Sequence, residues 1–191
     1  MPAGFSSLSL AIGVCVARAL QCQGLTELGL KWPNDIQANG RKLGGILVES
    51  TQSGDGAMRV VVGVGINVGL ESGSPSAQAI DQPWISVCDL PGVGLDPGLR
   101  DGLAGSILDQ LISCMSTYAS TGFESYREDW QGLDVLKGKA VNVSGPGRML
   151  QGKARGIDEQ GKLLVEEMMP TGEKVLHRLD SGEVSVRQEC K

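Results

Sequence analysis

The sequence is poor in the residues that build metal centres and membrane spans. A single histidine, His177, accompanies five cysteines, Cys15, Cys22, Cys88, Cys114 and Cys190, and no two of them form a CxxC pair. That set argues against a structural zinc site, which needs four soft or imidazole ligands at close spacing. The odd count, with Cys15 and Cys114 among apolar residues at helical spacing, points to reduced thiols in a cytoplasmic protein. The apolar run from Leu8 to Leu20 is too short to span a bilayer. Arg18 interrupts it and no basic residue precedes it, so it reads as a buried helix rather than a signal peptide. A clustered basic surface is missing too. Residues 1 to 134 carry 7 basic and 14 acidic groups, residues 135 to 191 carry 10 and 8, and the whole chain has a formal charge of −5. This balance argues against a phosphate-backbone binder but leaves room for a local cationic pocket.

What is present is 191 residues with 41% apolar content, enough for one medium domain and a small one. Leu8, Ile12, Cys15, Val16, Ala19 and Leu20 fall at helical spacing, which predicts a helix over 6–22 ending before Gly24. Leu28 to Trp32 reads as a strand closed by Pro33. Asn39-Gly40 is a two-residue hairpin signal between Ile36 to Ala38 and Lys42 to Glu49. Met58 to Val68 returns as a further strand, apolar enough to lie centrally in an antiparallel sheet. Gly63 and Gly65 share one face of it, which weakens a strand unless a ligand or another backbone, or a closely packed helix, lies there. Residues 69–83 form a long loop rich in Ser, Gly, Pro and Ala.

Asp96-Pro97 predicts a helix start, followed by an apolar stripe of Leu99, Leu103, Ile107, Leu108, Leu111, Ile112, Met115 and Tyr118 assigned to the core. Thr121 and Glu124 are spaced as a capping box for a third helix through Phe123, Tyr126 and Trp130. From Lys137 onward five short β-type runs separated by turns suggest a small barrel leaning on the preceding domain. The expected division is 1–134 and 137–191.

The chemistry-bearing residues converge on one segment. Lys31, Asn34, Asp35 and Lys42 flank the tight hairpin, Gly44 and Gly45 open the backbone beside it, and Asn67 ends the adjacent glycine-bearing strand. Charges crowded between apolar strand residues are costly to bury unless a partner or ligand neutralises them. Lys42 offers three donors to phosphate or carboxylate oxygens, or is an exposed turn lysine. Asp35 suits a divalent cation or a ribose, or with Asn34 caps the turn. Asn67 suits a nucleotide phosphate, or terminates its strand.

Lys31-Trp32-Pro33-Asn34-Asp35, then Arg41-Lys42-Leu43-Gly44-Gly45-Ile46-Leu47-Val48-Glu49, then Gly63-Val64-Gly65-Ile66-Asn67, resemble consecutive signature blocks of the biotin protein ligases. Trp84-Ile85-Ser86 and a C-terminal stretch from Gly156-Ile157-Asp158 to Ser181-Gly182-Glu183-Val184-Ser185 extend the likeness over nearly the whole chain. The resemblance implies an α+β fold: a class II aminoacyl-tRNA synthetase-like, mixed, mostly antiparallel sheet with helices, followed by a small SH3-like β-barrel. It implies activation of biotin with MgATP to biotinyl-5′-AMP and transfer to a lysine of a carboxylase carrier domain. Lys42 would contact the biotin carboxylate and α-phosphate as catalytic cation, with Asp35 and Asn34 near the ATP phosphates and Mg. Lys31 belongs to the same binding segment, Asn67 would touch the nucleotide, and Trp84 would stack on adenine. Gly44, Gly45, Gly63 and Gly65 would make room, and Arg187 and Glu183 would face the site or brace the barrel. Trp32, Trp130 and His177 read as structural.

The family's Gly-Arg-Gly-Arg-type loop and the strands beneath the biotin ring have no counterpart here. The expectation is therefore an incomplete form of the ligase, poorly active alone, with exposed sheet edges. The alternative is a non-catalytic ligand- or protein-binding module. No helix-turn-helix is present, so no DNA partner is expected; no membrane association is expected, and a homodimer is an open option.

Overall fold

In the computed structural model the residues described are 5–54, 56, 58–71, 73–80, 82–93, 96–145, 148–181 and 185–188. The first part builds one helix on a four-stranded antiparallel sheet. Helix α1 spans Phe5–Cys22, and strands β1 (Leu28–Lys31), β2 (Asp35–Ala38), β3 (Arg41–Gln52) and β4 (Met58–Ile66) lie in sheet order β1-β2-β3-β4. Asn39 and Gly40 both take positive φ, 51° and 70°, the backbone that a two-residue turn between right-twisted strands requires. The helix is buried almost all round, with Leu10, Ile12, Val14, Val16 and Leu20 inaccessible, because sheet and further helices cover it from opposite sides.

Strand β4 is not central, as its apolar run predicted; among the described residues it forms the sheet's edge. Only one face, with Val60, Val62, Val64 and Ile66, packs against the core; the other carries Val61, Gly63 and Gly65 into the open. Apolar content on both faces therefore did not mean two covered faces. The 69–86 segment is also more ordered than a bare loop. It contains a short helix α2 (Pro75–Gln78) capped by Ser74, and its ends are joined where the Leu70 amide donates to Ser86 Oγ at 2.9 Å.

Helices α3 (Leu99–Thr121) and α4 (Glu124–Leu133) follow. Asp96 does not cap α3 directly. Its carboxylate accepts from the Gly98 amide and the helix starts at Leu99, with Gly98 as N-cap. Of the α3 stripe, Leu103 and Ile107 are buried with Cys114, Leu99, Leu111 and Tyr118 pack half-buried against the core, and Leu108, Ile112 and Met115 are exposed. The apolar residues span more of the helix circumference than its contact with α1 can cover. The predicted capping box is absent, since α3 runs through Thr121, whose hydroxyl donates to the Thr117 carbonyl, and Phe123 is the N-cap of α4. Gly122, at φ 62°, ends α3 instead. Cys15 and Cys114 meet in this helical layer as buried free thiols, and the hydrogen bond to Cys114, with burial, pushes the Cys15 thiol far above its ordinary range. Arg18 leaves the layer to pair with Asp129 and to lie over the Tyr126 ring.

The C-terminal part is a five-stranded antiparallel sheet in order β8-β7-β6-β5-β9, from β5 (Ala140–Gly145), β6 (Arg148–Ile157), β7 (Leu163–Met168), β8 (Lys174–Leu179) and β9 (Ser185–Gln188). Val141, Val143, Leu150, Ala154, Leu163 and Val165 fill its interior. This sheet is tied to the first part. The indole N–H of buried Trp32 donates to the Gly161 carbonyl at 3.0 Å, and Gly161 itself, at φ 77°, sits so close to Leu10 and Ser7 that a Cβ would crowd them. Trp32 and Trp130 are both core residues, and His177 of β8 pairs with Glu167 of β7 at 2.7 Å.

Candidate functional site

The antiparallel register of β1, β2 and β3 gathers the charged residues of the hairpin. Lys31 lies opposite Asp35 across β1 and β2, and Asp35 lies opposite Gly45 across β2 and β3, which in turn lies opposite Gly65 of β4. Lys42 reaches the same carboxylate because the β2–β3 ladder shifts register between Ile36 and Gln37. Its ammonium is 2.6 Å from Asp35 Oδ1, and that of Lys31 is 3.5 Å from Oδ2. The Lys31 and Asp35 side chains are 13% exposed and Lys42 is 26% exposed. Two ammonium groups thus share one carboxylate in a mostly desolvated place, leaving a surplus positive charge. That arrangement is costly as it stands and improves when an anion arrives.

Two cavities meet at this cluster. One, about 370 Å³, is lined by Asn34, Asp35, Lys42, Gly45, Leu47, Gly63 and Gly65. Its floor is bare backbone. A Cβ on Gly63 would find only Leu47 at 3.7 Å, and one on Gly65 nothing nearer than the Gly45 carbonyl at 4.0 Å, so among the described residues no helix packs on this face. Leu47 and Val61 stand beside it 60% and 63% exposed. The second cavity, about 620 Å³, lies between the hairpin and the C-terminal sheet. Lys31, Asn34, Asp35, Gln82 and Arg187 contribute to its wall. Asn34 and Asp35 line both, and Asn34 is fixed there by donating from Nδ2 to the Ile46 carbonyl at 2.8 Å.

Of the residues singled out by sequence, Lys31, Asn34, Asp35, Lys42, Gly45, Gly63, Gly65 and Arg187 come together around these two cavities. Gly44 does not: it is buried on the opposite side, where a Cβ would overlap the Gly65 carbonyl oxygen, so its lack of a side chain serves close strand packing. Asn67 and Trp84 line neither cavity. Asn67 joins backbone segments, its Nδ2 donating to the carbonyls of Lys42 and Ile85, both at 3.3 Å. Trp84 pairs in parallel with Lys42, flanked by hydrogen bonds from the Lys42 amide to the Pro83 carbonyl and from the Ile85 amide to the Lys42 carbonyl. Glu183 lies outside the described residues.

The residues present do not fit a protein-held divalent cation at Asp35. Both its oxygens are occupied by donors, two of them ammonium groups, and among the described residues no cluster of three His, Cys, Asp or Glu side chains surrounds it. Sequence reasoning missed Gln82. Its carboxamide accepts from Lys31 Nζ at 3.1 Å and donates to Asp35 Oδ2 at 3.0 Å. The available signal was its place two residues before Trp84, at the end of the long loop.

The chain is similar to known proteins over most of its length. Residues 5–67 match the Biotin/lipoate A/B protein ligase family, and residues 137–187 match the Biotin protein ligase C terminal domain. The bifunctional ligase/repressor BirA of Escherichia coli is 33% identical over 190 residues, covering 100% of this chain and 56% of that protein. The biotin–[acetyl-CoA-carboxylase] ligase of Paracoccus denitrificans is 31% identical over 173 residues, covering 89% of this chain and 69% of the relative. The chain thus spans 56% of the first of these relatives and 69% of the second. A biotin protein ligase from Aquifex aeolicus, solved in complex with biotin and ATP, shares the fold with a TM-score of 0.78 at 24% identity, over 97% of this chain and 73% of that one. On the two family matches and the extent of the Paracoccus relationship, this chain belongs to the biotin protein ligase family.

Proposed function

We propose that this chain supplies the lysine and carboxylate half of a site that activates biotin with ATP to biotinyl-5′-AMP and transfers the biotinyl group to a lysine of a carboxylase carrier domain. The observation that carries this reading is the surplus cation of the Lys31–Asp35–Lys42 cluster, set beside a glycine floor with no side chains on it. The apolar body of biotin fits the smaller cavity against Gly45, Gly63, Gly65 and Leu47, with its carboxylate directed to Lys42. The nucleotide phosphates fit the adjoining cavity, where Lys31 and Arg187 face the same space as Asn34. A biotin carboxylate oxygen attacks the α-phosphorus and pyrophosphate leaves; the carrier amine then attacks the acyl carbon and AMP leaves. Lys42 stabilises the negative charge that develops in both steps.

Asn67 has its amide nitrogen committed to backbone carbonyls, which leaves its carbonyl oxygen for the nucleotide. Trp84 serves as the adenine platform if the 69–86 segment rearranges around the ligand, since it lines neither cavity here. Magnesium, in this reading, arrives on the ATP phosphates rather than on a protein seat. The finer fold description, a synthetase-like domain over 1–134 and an SH3-like barrel over 137–191, belongs to the same proposal. So do a cytoplasmic location, the absence of a DNA partner and the option of a homodimer. No helix of the described residues is long and apolar enough to cross a membrane.

The test is biotin-dependent exchange of pyrophosphate into ATP by this chain, alone and with the Gly-Arg-loop segment of a relative added. Exchange that requires biotin supports the reading. Biotin and ATP binding that is undetectable under both conditions favours the non-catalytic module.

A further inference from the structure

We infer that Gln82 is a positioning residue: its side-chain amide ties the 69–86 segment to the charged cluster and fixes the Asp35 carboxylate so that Lys42 stays on one oxygen. The inference rests on the ligase reading only for its consequence in ligand binding. Asp35 has two oxygens and three donors near it. Lys42 takes Oδ1 at 2.6 Å, and Gln82 Nε2 takes Oδ2 at 3.0 Å, so the carboxylate cannot turn about its last torsion without losing a bond. Gln82 Oε1 simultaneously accepts from Lys31 at 3.1 Å and holds that ammonium 3.5 Å from Oδ2. A carboxamide can serve an ammonium and a carboxylate at once, because it carries an acceptor and donors on one planar group. A glutamate here would repel Asp35, and an apolar residue would let Lys31 load directly onto Oδ2.

The same residue is covalently next to Pro83, whose carbonyl accepts from the Lys42 amide at 2.8 Å, and Ile85 returns a bond to the Lys42 carbonyl at 2.9 Å. Backbone and side chain of the 82–85 segment therefore grip both ends of the Lys42 residue's environment. Releasing the side-chain grip loosens the backbone grip, and with it the position of Trp84.

The experiment is amide hydrogen exchange on the whole chain, read at Lys42 and Ile85, in wild type, Gln82→Met, Gln82→Glu and the pair Asp35→Asn/Gln82→Glu. Methionine keeps the length and loses both bonds. The paired exchange restores a donor–acceptor contact with the partners reversed, since the carboxamide introduced on β2 can donate to the carboxylate introduced on the 82–85 segment. The expected result is at least tenfold faster exchange at Lys42 and Ile85 in both single variants, unchanged exchange in the β3–β4 ladder around Val48 and Val62, and recovery in the pair. Unchanged exchange in Gln82→Met, or an increase spread over the whole sheet, or no recovery in the pair, overturns the inference. A parallel ATP titration separates the two readings. If wild type binds and Gln82→Met binds at least fivefold more weakly, the positioning role extends to the ligand; equal binding overturns it. If wild type binds no ATP, the ligase reading fails while the exchange data still decide the role of Gln82.

Discussion

Replacing Gly65 with alanine separates the two meanings that a glycine in a strand can have. Gly65 has no positive φ, and a Cβ there would touch nothing closer than 4.0 Å, so the methyl enters the smaller cavity without strain. Glycine inside a strand costs roughly 0.5–1 kcal/mol against alanine, so the variant should be as stable as wild type or slightly more so. The same change at Gly44, one residue from Gly45 in β3, drives a methyl into the Gly65 carbonyl and toward the Ile66 side chain. Backbone cannot yield as a side chain does, and overpacking of this kind costs about 1–3 kcal/mol or more. Ligand binding should show the reverse order. A methyl projecting into the bed of a bicyclic ligand removes the close approach and should weaken biotin by at least about tenfold, about 1.4 kcal/mol, with valine worse. Urea unfolding measures the first quantity and calorimetric titration with biotin the second. If Gly65→Ala is destabilised as much as Gly44→Ala, or binds biotin as tightly as wild type, the assignment of the glycine face to a ligand is refuted.

Trp32→Phe removes the donor to the buried Gly161 carbonyl while keeping most of the packing, and should cost about 1–3 kcal/mol in denaturant unfolding; an unchanged midpoint would show that this contact between the C-terminal sheet and the first part contributes nothing. Asp134 pairs with Leu30 of β1 just before the C-terminal sheet; burial raises its carboxyl above the usual range, although the Leu136 and Lys137 amides oppose this, and its Oδ2 has no hydrogen-bond partner. A raised carboxyl pKa means that the folded chain holds the proton more tightly than the unfolded one. The contribution of Asp134 is then most favourable below the unfolded carboxyl pKa and falls as pH rises through the folded one. Asp134→Asn should flatten the stability profile across that interval, and a variant with the same slope as wild type would rule out the assignment.

The hairpin was readable in the sequence because its information is local. Asn39-Gly40 admits few backbones, and the alternation around it places Lys31, Asp35 and Lys42 on one side of three neighbouring strands. The five C-terminal strands were equally visible between their turns. What escaped depends on which neighbours are present. Strand β4 carries apolar residues on both faces yet is covered on one, and α3 has an apolar girth wider than its single helical partner. Thr121 has the spacing of a capping residue, but the helix before it continues and takes its hydroxyl. Gly44 and Gly45 look alike in sequence and face opposite ways, one into strand packing and one onto the cavity floor. Gln82 was marked only by its place just before Trp84, because its two partners are 51 and 47 residues distant and only the fold brings them within reach.

The most direct trial of the account is ATP-dependent transfer of biotin to a carrier-domain lysine by this chain, with the upstream Gly-Arg-loop segment supplied, compared between wild type and Lys42→Ala. Removing Lys42 leaves Asp35 bonded to Gln82 and near Lys31, so the variant should fold. Loss of the charge that meets the developing anion predicts transfer slower by about 10²–10³-fold. Transfer at an undiminished rate in a folded Lys42→Ala protein would contradict the placement of this lysine at the centre of the site.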